Sequence, residues 1–590
     1  MKFIFKAMGK YKGMIFLSMF LKLMGTMAEL VLPYILEHMI DDVVPLKEMK
    51  PLVFWGLLMF VGALCAWVFN VSANRLAVRN AHFVTYDVRQ ELFEKTMNLS
   101  GKQFDSFGLP SLISRMSSDS YNIQMAAQQT QTMLVRSPMM LFGGLVMTIA
   151  MDIRLALILI VMMPFLLAIV LFVSSRAIPM FTKVQDKLDV VVRIMRENIT
   201  GIRVIKALSK SEYEMDRFAG VNKDMADTDI KASTLMSLPF PVMQLFLNTG
   251  LVLVIIIGAK NVNAGLTQPG VITAFLTYFN MITMGVMGLN RIFMTFSRAS
   301  ASARRIEAII KTPTDQKILS EDEALKPHGD EFIRFEHVNF RYNGEDEDSA
   351  YEHHLHFNGE ERQNALTDID FAIKKGESLG IIGPTGCGKT SVINLMMRFY
   401  DVSDGGVFVD GRDVRTYDKD ELRHKFGVVF QNDMVFHESL RDNIDFGRGL
   451  SEEEIWSAIE DAQAADYIHG LEEGLDYEAA IKGANLSGGQ KQRLMVARAL
   501  AGHSEILVLD DSSSALDYKT DSSMRKAIAE HHGDSTLIMI AQRISSIMNM
   551  DHIMVLDSGR MIGYGTHEEL LESCEAYKEI FKVQMGEAGL

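Results

Sequence analysis

The sequence predicts a multidomain membrane protein: a transmembrane domain of six α-helices, followed by an α/β P-loop nucleotide-binding domain. Three observations carry that expectation. Six apolar runs fill the first half of the chain, and "GPTGCGKT" stands between a strand-like and a helix-like segment in the second. Further on, "ILVLDDSSSALD", residues 506–517, runs four apolar residues into two aspartates.

The apolar runs are Met14–Ile40, Leu52–Val71, Met133–Met151, Leu155–Val173, Met236–Ile257 and Val271–Phe293. Each is close to the ~20 residues that a helix needs to cross a bilayer. Lys2, Lys6, Lys10 and Lys12 precede the first run and eleven Lys or Arg lie in 174–235, whereas 41–50, 152–154 and 259–270 hold few. Positive charge marks the cytoplasmic side, so both termini and the two long connections are expected inside. Those connections, about 72–132 and 174–235, are polar but helically periodic and read as helices extended into the cytoplasm. "FDSFGLPSLISRM" and "SKSEYEMDRF" are expected near their turning points.

Pro313 and the polar run to Lys326 read as a linker. The expected division is a transmembrane domain over 1–312, a linker over 313–326 and a nucleotide-binding domain over 327–590. From "FIRFEHVNFRY" onward, short β-runs alternate with helices, the pattern of an α/β fold. A net charge of −15 argues against nucleic acid as a partner. Cys65, Cys387 and Cys574 have no paired spacing, so neither a disulfide framework nor a zinc site is indicated. The basic start leads into an apolar run too long for the core of a cleavable signal.

"GPTGCGKT", Gly383–Thr390, follows the apolar strand "SLGII" and opens the helix "TSVINLMMRFY", the context that gives the P-loop pattern its meaning. Gly383, Gly386 and Gly388 let backbone N–H groups turn inward around phosphates, and the helix N-terminus adds positive potential. Lys389 is expected at the β/γ-phosphates and the Thr390 hydroxyl on Mg²⁺, with Pro384, Thr385, Cys387 and Ser391 completing the cradle. The Cys387 thiol is expected where phosphate binds, at a helix end that favours thiolate.

"LSGGQKQR", Leu486–Arg493, makes the chain resemble the ATP-binding-cassette (ABC) exporters over nearly its whole length. These are half-transporters of six helices fused to one nucleotide domain. The resemblance implies ATP and Mg²⁺ as ligands, and a pair of half-transporters in which each ATP lies between one P-loop and the other's signature motif. It implies that Tyr342 stacks on adenine, that Gln431 in "VVFQND" senses Mg²⁺, and that Asp510 supports Mg²⁺. Ser487, Gly488, Gly489 and Gln490 are then the signature residues facing the partner's nucleotide. Ser514–Asp517, ending at Asp517, is the loop that addresses the opposite site.

The catalytic pair departs from that family. Where it has Glu after the Mg²⁺ aspartate this chain has Asp511, and where it has the His of an "AHR" turn it has Gln542. A carboxylate withdrawn by about an ångström can cost ~10²-fold in rate, and an amide cannot be protonated in place of imidazole. With an intact signature motif, this implies a heterodimer: a degenerate site here, and a competent one completed on a partner carrying Glu and His. The combination resembles the degenerate-site subunit of bacterial heterodimeric multidrug exporters. The expected function is ATP-driven export of amphipathic compounds across the bacterial cytoplasmic (inner) membrane. A dedicated lipid or peptide exporter is one alternative, and a nucleotide-gated channel or regulatory subunit is another.

Other residues stand out. Where the family it resembles has an acidic residue ahead of the signature, this chain has Ile481. Met281, Met284, Met287, Phe293, Met294 and Phe296 could line an adaptable cavity. Arg136 and Arg291, with Lys22 and Glu29, are charges inside or beside apolar spans, read as ion pairs at the cytoplasmic level. The acidic run 343–362 with His353, His354 and His356 reads as an exposed hairpin extension.

Overall fold

The structure is a computed structural model, and it describes residues 1–329, 331–342, 364–431, 433–512 and 514–585. The acidic, histidine-containing run after Tyr342 lies outside these residues. The chain forms two compact units, Met1–Met97 with Pro110–Thr312, and Asn98–Leu109 with Pro313–Leu590.

The first unit is helical. Among the described residues, five helices are long and apolar enough to cross a membrane: Lys2–Leu46, Met49–Met97, Leu109–Met151, Ser211–Asn263 and Pro269–Ile310. The fourth expected span falls in the 48-residue helix Ile153–Thr200, whose apolar stretch among the described residues is the shorter Ile153–Phe165. Continuity has local causes. The only proline of the 49-residue helix Met49–Met97 is Pro51, in the first turn, where no intrahelical N–H bond is lost. Pro138, by contrast, lies inside a helix and is followed by the π-helical turn Met139–Gly143, the usual answer to a missing donor. The polar connections are helical as expected, reversing at Gly101–Phe107 and at Ile202–Ala207. The second reversal lies just ahead of the "SKSEYEMDRF" stretch.

Polar bonds fix the bundle where burial alone would leave helices free to slide. Asp41 accepts from the backbone N–H of Gly270 at 2.6 Å and of Val271 at 3.2 Å, capping the last membrane helix from the first. Tyr278 donates to the Leu30 carbonyl at 2.7 Å. Ser302 and Arg305 donate to the buried Asp119 at 2.7 and 2.8 Å.

Among the described residues, the second unit holds ten strands: β1 Ile333–Phe340, β2 Leu366–Ile373, β3 Ser378–Ile382, β4 Asp404–Val409, β5 Arg412–Asp413, β6 Phe426–Val429, β7 Ile506–Asp510, β8 Thr536–Ile540, β9 His552–Asp557 and β10 Arg560–Gly565. They make a four-stranded sheet, β2-β1-β4-β5, and a six-stranded sheet, β10-β9-β3-β8-β7-β6. The run β9-β3-β8-β7-β6 is parallel. Its strands are covered on both faces, and every residue of β7 is buried, which is why "ILVLD" reads as a continuous apolar run rather than an alternation.

Candidate nucleotide site

In an open parallel sheet, ligands bind beyond the carboxyl ends of the strands. Four neighbouring strands deliver the candidate residues there. The loop Gly383–Gly388 follows β3, Gln542 follows β8, Asp510 ends β7 with Asp511 next, and Gln431 follows β6. Register holds them level, since Asp510 pairs with Ile540 across β7–β8 and Val429 with Leu509 across β6–β7. Gln431 is exposed at this edge.

The loop needs its glycines. Gly386 and Gly388 have φ of +83° and +104°, which side chains avoid. A Cβ at Gly388 would also meet the Ala365 carbonyl oxygen at 2.7 Å. Lys389 Nζ donates to the carbonyls of Gly383 and Pro384, each at 2.8 Å, which keeps its ammonium at the mouth of the loop. Pro384, Thr385 and Gly386 are exposed there.

Cys387 departs from expectation. Its side chain is 3% exposed and packs inward with Ile381, Val392 and Leu366 in the core between the sheets. Burial pushes its thiol up, and the nearby Lys389 only partly opposes this. The thiol is therefore shielded from solvent, with Lys389 Nζ 3.8 Å from its Sγ, and is not poised as a thiolate. A loop residue between two left-handed glycines can turn either way, and here the apolar interior takes it.

Thr390 Oγ1 donates to Asp510 Oδ2 at 2.9 Å. This joins a hydroxyl and a buried carboxylate, two hard oxygen donors of the kind that suits Mg²⁺. Burial raises the Asp510 carboxyl above its ordinary value, and Asp511 beside it adds to the shift; the Thr390 bond and Lys389 oppose it. Such a carboxylate gains from a cation. Asp511 takes a left-handed φ of +51°, and Gln542 Nε2 donates to its Oδ2 at 3.0 Å. Burial also raises its carboxyl, against Lys389 and the Gln542 bond.

The signature residues lie elsewhere. Ser487 is the N-cap of helix Gly488–Leu500 in a capping box, its hydroxyl accepting from Gln490 N–H and Gln490 Oε1 accepting from Ser487 N–H. None of these bonds goes to the P-loop. Gly488 and Gly489 pack against Ala515, where an added Cβ would meet Ala515 atoms at 3.6 and 3.3 Å. Asp517 caps helix Tyr518–His531, accepting from Thr520 N–H at 2.9 Å. That backbone bond, with the Thr520 hydroxyl, holds its carboxyl below the usual range. Ile481 is 65% exposed.

Tyr342 is not free-standing. Its ring meets Phe340 and Tyr400 edge-on, at 4.6 and 5.1 Å, and its hydroxyl is 3.0 Å from Ser391 Oγ. Beside it is a cavity of about 310 Å³, lined by Ser100, Asp105, Gln316, Phe340, Tyr342 and Tyr400.

Two residues that sequence reasoning passed over organise the site. Gln492 donates to the Asp511 carbonyl at 2.9 Å and accepts from Ala515 N–H at 2.9 Å, so it ties the signature helix to the loop after Asp511. Tyr400 donates to Asp105 Oδ2 at 2.5 Å and, through its ring, joins the helix Gly101–Phe107 to Tyr342. Gln492 stands inside the signature itself, "LSGGQKQR", and was within reach. Nothing local marks Tyr400. Among the described residues, no group of three or more His, Cys, Asp or Glu could hold a metal ion by itself.

Comparison with known proteins agrees with this architecture. Residues 15–286 match the family described as ABC transporter transmembrane region, and 366–514 the family described as ABC transporter. An uncharacterized ABC transporter ATP-binding protein of Mycobacterium tuberculosis is 32% identical over 577 residues, 96% of this chain and 95% of that one. An ATP-dependent lipid A-core flippase of Vibrio vulnificus is 29% identical, over 91% of this chain and 88% of its own. The solved structure of a bacterial Atm1-family ABC exporter with ATP bound superposes with a TM-score of 0.78 at 22% identity, covering 96% of this chain and 98% of that one.

Proposed function

The chain belongs to the ABC transporters, an ATP-driven exporter with its membrane and ATPase domains in one polypeptide, and from that premise we propose that it is the degenerate-site half of a heterodimer exporting amphipathic compounds. The observation that carries the proposal is the pair Asp511 and Gln542. The carboxylate that would orient the attacking water is one methylene short, and it is bonded to the amide that replaces the γ-phosphate-sensing imidazole. Orientation of water and a donor to the γ-phosphate are what hydrolysis asks of the protein. Both are altered here.

In this reading the loop Gly383–Gly388, with Lys389 and Ser391, holds the phosphates, and Tyr342 turns to adenine. Thr390, Asp510 and Gln431 hold Mg²⁺, which when bound neutralises phosphate charge. The backbone amides at the start of helix Lys389–Met396 and the Lys389 ammonium attract the anion without any contribution from Asp511. ATP binding thus survives the two substitutions. Ser487, Gly488, Gly489 and Gln490 complete the partner's site, and Asp517 shapes the loop between the two. In this reading 1–312 form the transmembrane domain with its cytoplasmic helical extensions, 313–326 the linker and 327–590 the nucleotide-binding domain, with Asn98–Leu109 grouped in the same unit as the last. Lysine and arginine distribution supports placement in a bacterial cytoplasmic membrane with both termini inside. The test is ATPase activity of the purified chain alone and with a half-transporter carrying Glu and His. Low turnover alone and high turnover together is expected; robust turnover by the chain alone overturns the proposal.

Similarity to a lipid A-core flippase supports a second reading, a dedicated lipid exporter. Vesicle assays comparing a labelled lipid with a dye separate the two.

A further inference from the structure

Asp511 and Gln542 meet through their side chains, and each stands on a loop that is held from elsewhere. Gln492 ties the loop after Asp511. The loop after β8 has a counterpart, and it comes from the last described helix of the chain. Gln584 Nε2 donates to the Gln542 carbonyl at 2.8 Å, and Gln584 Oε1 accepts from the Ile544 N–H at 2.8 Å. A primary amide presents a donor and an acceptor side by side, which suits one carbonyl and one N–H two residues apart.

The loop needs such a partner. Ile544 is fully buried and opens the 3-10 turn Ile544–Ser546, whose N-cap Arg543 makes no side-chain capping bond. The first N–H of a helical turn has no partner within the turn, and a buried N–H left without one is costly. Before the loop, the Ala541 N–H bonds the Ile381 carbonyl of β3 at 3.2 Å; after it, the Ser546 N–H bonds the Arg543 carbonyl at 3.1 Å. Between them the Gln584 amide fixes the chain.

The helix that brings it is firmly docked. Glu575–Met585 carries Tyr577, Phe581 and Gln584 at i, i+4 and i+7, one face of a helix. Tyr577 and Phe581 are buried in one core with Ile544 and Ile547, and the Tyr577 hydroxyl is 2.7 Å from His567 Nδ1. The face that docks the helix also delivers the amide to the loop.

We infer that Gln584 is a positioning residue of the ATP site, fixing through the backbone of Gln542 and Ile544 where the side chain at 542 stands relative to Asp511 and the γ-phosphate. The inference rests on the reading that puts Gln542 at the γ-phosphate. Gln542 gives one N–H to Asp511 and has a second for the phosphate.

The test uses the full-length chain in phosphatidylcholine nanodiscs: wild type, Gln584→Met, Gln584→Glu, Gln542→Ala and the double variant Gln542→Ala, Gln584→Met. Gln584→Met keeps the length of the side chain and loses both bonds. In hydrogen–deuterium exchange without nucleotide it should speed the Ile544 amide by roughly tenfold or more, while Tyr577 to Phe581 stay as protected as in wild type. Should the helix undock in Gln584→Met, the same comparison is read on Gln584→Glu, which keeps the acceptor and loses the donor.

Affinities for the Mg²⁺ complexes of ADP and of the β,γ-imido analogue of ATP isolate the γ-phosphate. Wild type should prefer the ATP analogue by roughly tenfold, the scale of one hydrogen bond to a charged group. Gln584→Met and Gln542→Ala should each lose most of that preference with ADP affinity unchanged, whereas a merely structural defect would weaken both nucleotides together. The double variant should lose no more than either, since both act on one contact, and Gln584→Glu should keep part. An Ile544 amide that exchanges as slowly in Gln584→Met as in wild type overturns the inference. So does an unchanged preference for the ATP analogue, or a double variant that falls below Gln542→Ala; each leaves the placement of Gln542 intact. Equal affinity of wild type for the two nucleotides removes Gln542 from the γ-phosphate and overturns both.

Discussion

Gln542 Nε2 donates to Asp511 Oδ2 at 3.0 Å, so the two side chains that stand where related exporters are expected to carry His and Glu hold each other. The bond orients the carboxylate toward β8 and takes up one N–H donor of the Gln542 amide. Restoring both should restore chemistry. In a heterodimer whose partner has its catalytic Glu changed to Gln, the wild-type complex should lose ATPase activity. The Asp511→Glu, Gln542→His complex should then keep at least ~10²-fold more, the scale of a misplaced reacting group. Activity that survives the partner's Glu→Gln change in the otherwise wild-type complex would show that Asp511 is a working base.

The thiol of Cys387 is buried among core residues beneath the Lys389 ammonium. In a Cys65→Ser background, which removes the one exposed cysteine, maleimide should label the folded chain slowly whether or not Mg-ATP is present, and quickly once it is denatured. Rapid labelling that ATP blocks would return the thiol to the phosphate cradle.

These two cases show what the sequence made legible. The P-loop, the β7 aspartates and the membrane spans are local patterns: a motif between a strand and a helix, a run of apolar residues, a period. The structure has the P-loop and the β7 aspartates where the patterns put them, and, among the described residues, five of the six expected spans as long apolar helices. Direction and long-range pairing are different. Whether Cys387 turns in or out depends on the packing of Leu366 and Val392 from other elements. Tyr400 finds Asp105 across 295 residues of chain, and Arg136 finds Glu29 across 107. No periodicity encodes such meetings.

Asp510 should make the protein pH-sensitive in a direction set by burial. Its folded-state value is raised above 3.8, so the folded chain holds this proton more tightly than the unfolded chain. The resulting stabilisation is complete below the ordinary aspartate value and is lost as pH rises through the raised one. At neutral pH the buried carboxylate is a liability that the Thr390 bond and Lys389 relieve only in part. Asp510→Asn should therefore raise the melting temperature without nucleotide at pH 7 and leave it unchanged near pH 3. Thermal unfolding without nucleotide across that range is the measurement, and a lower melting temperature for the variant at pH 7 would refute the account.

Gln492 satisfies the Asp511 carbonyl and the Ala515 N–H together. Gln492→Ala leaves both half-buried groups without that partner, at a cost of about 1–3 kcal/mol, and frees the loop after Asp511 from the signature helix. Thermal unfolding should show the loss, and ATPase activity in the heterodimer should fall with it. A variant as stable as wild type would mean that water replaces the amide.

Ser487 has two jobs that substitution can separate. Its hydroxyl caps helix Gly488–Leu500, and in the proposed heterodimer it also faces the partner's γ-phosphate. Ser487→Ala removes both, and the lost cap alone should cost about 1 kcal/mol. Ser487→Gly also removes the hydroxyl, but glycine is tolerated at an N-cap within a few tenths of a kcal/mol. If the hydroxyl acts only as a cap, the glycine variant should turn over ATP much as wild type does and only the alanine variant should suffer. If it donates to the transition state on the partner, both variants should be slowed alike, by ~10²-fold or more, although their melting temperatures differ. The second pattern is expected. ATPase rate and unfolding temperature, measured on the same two heterodimers, decide between them.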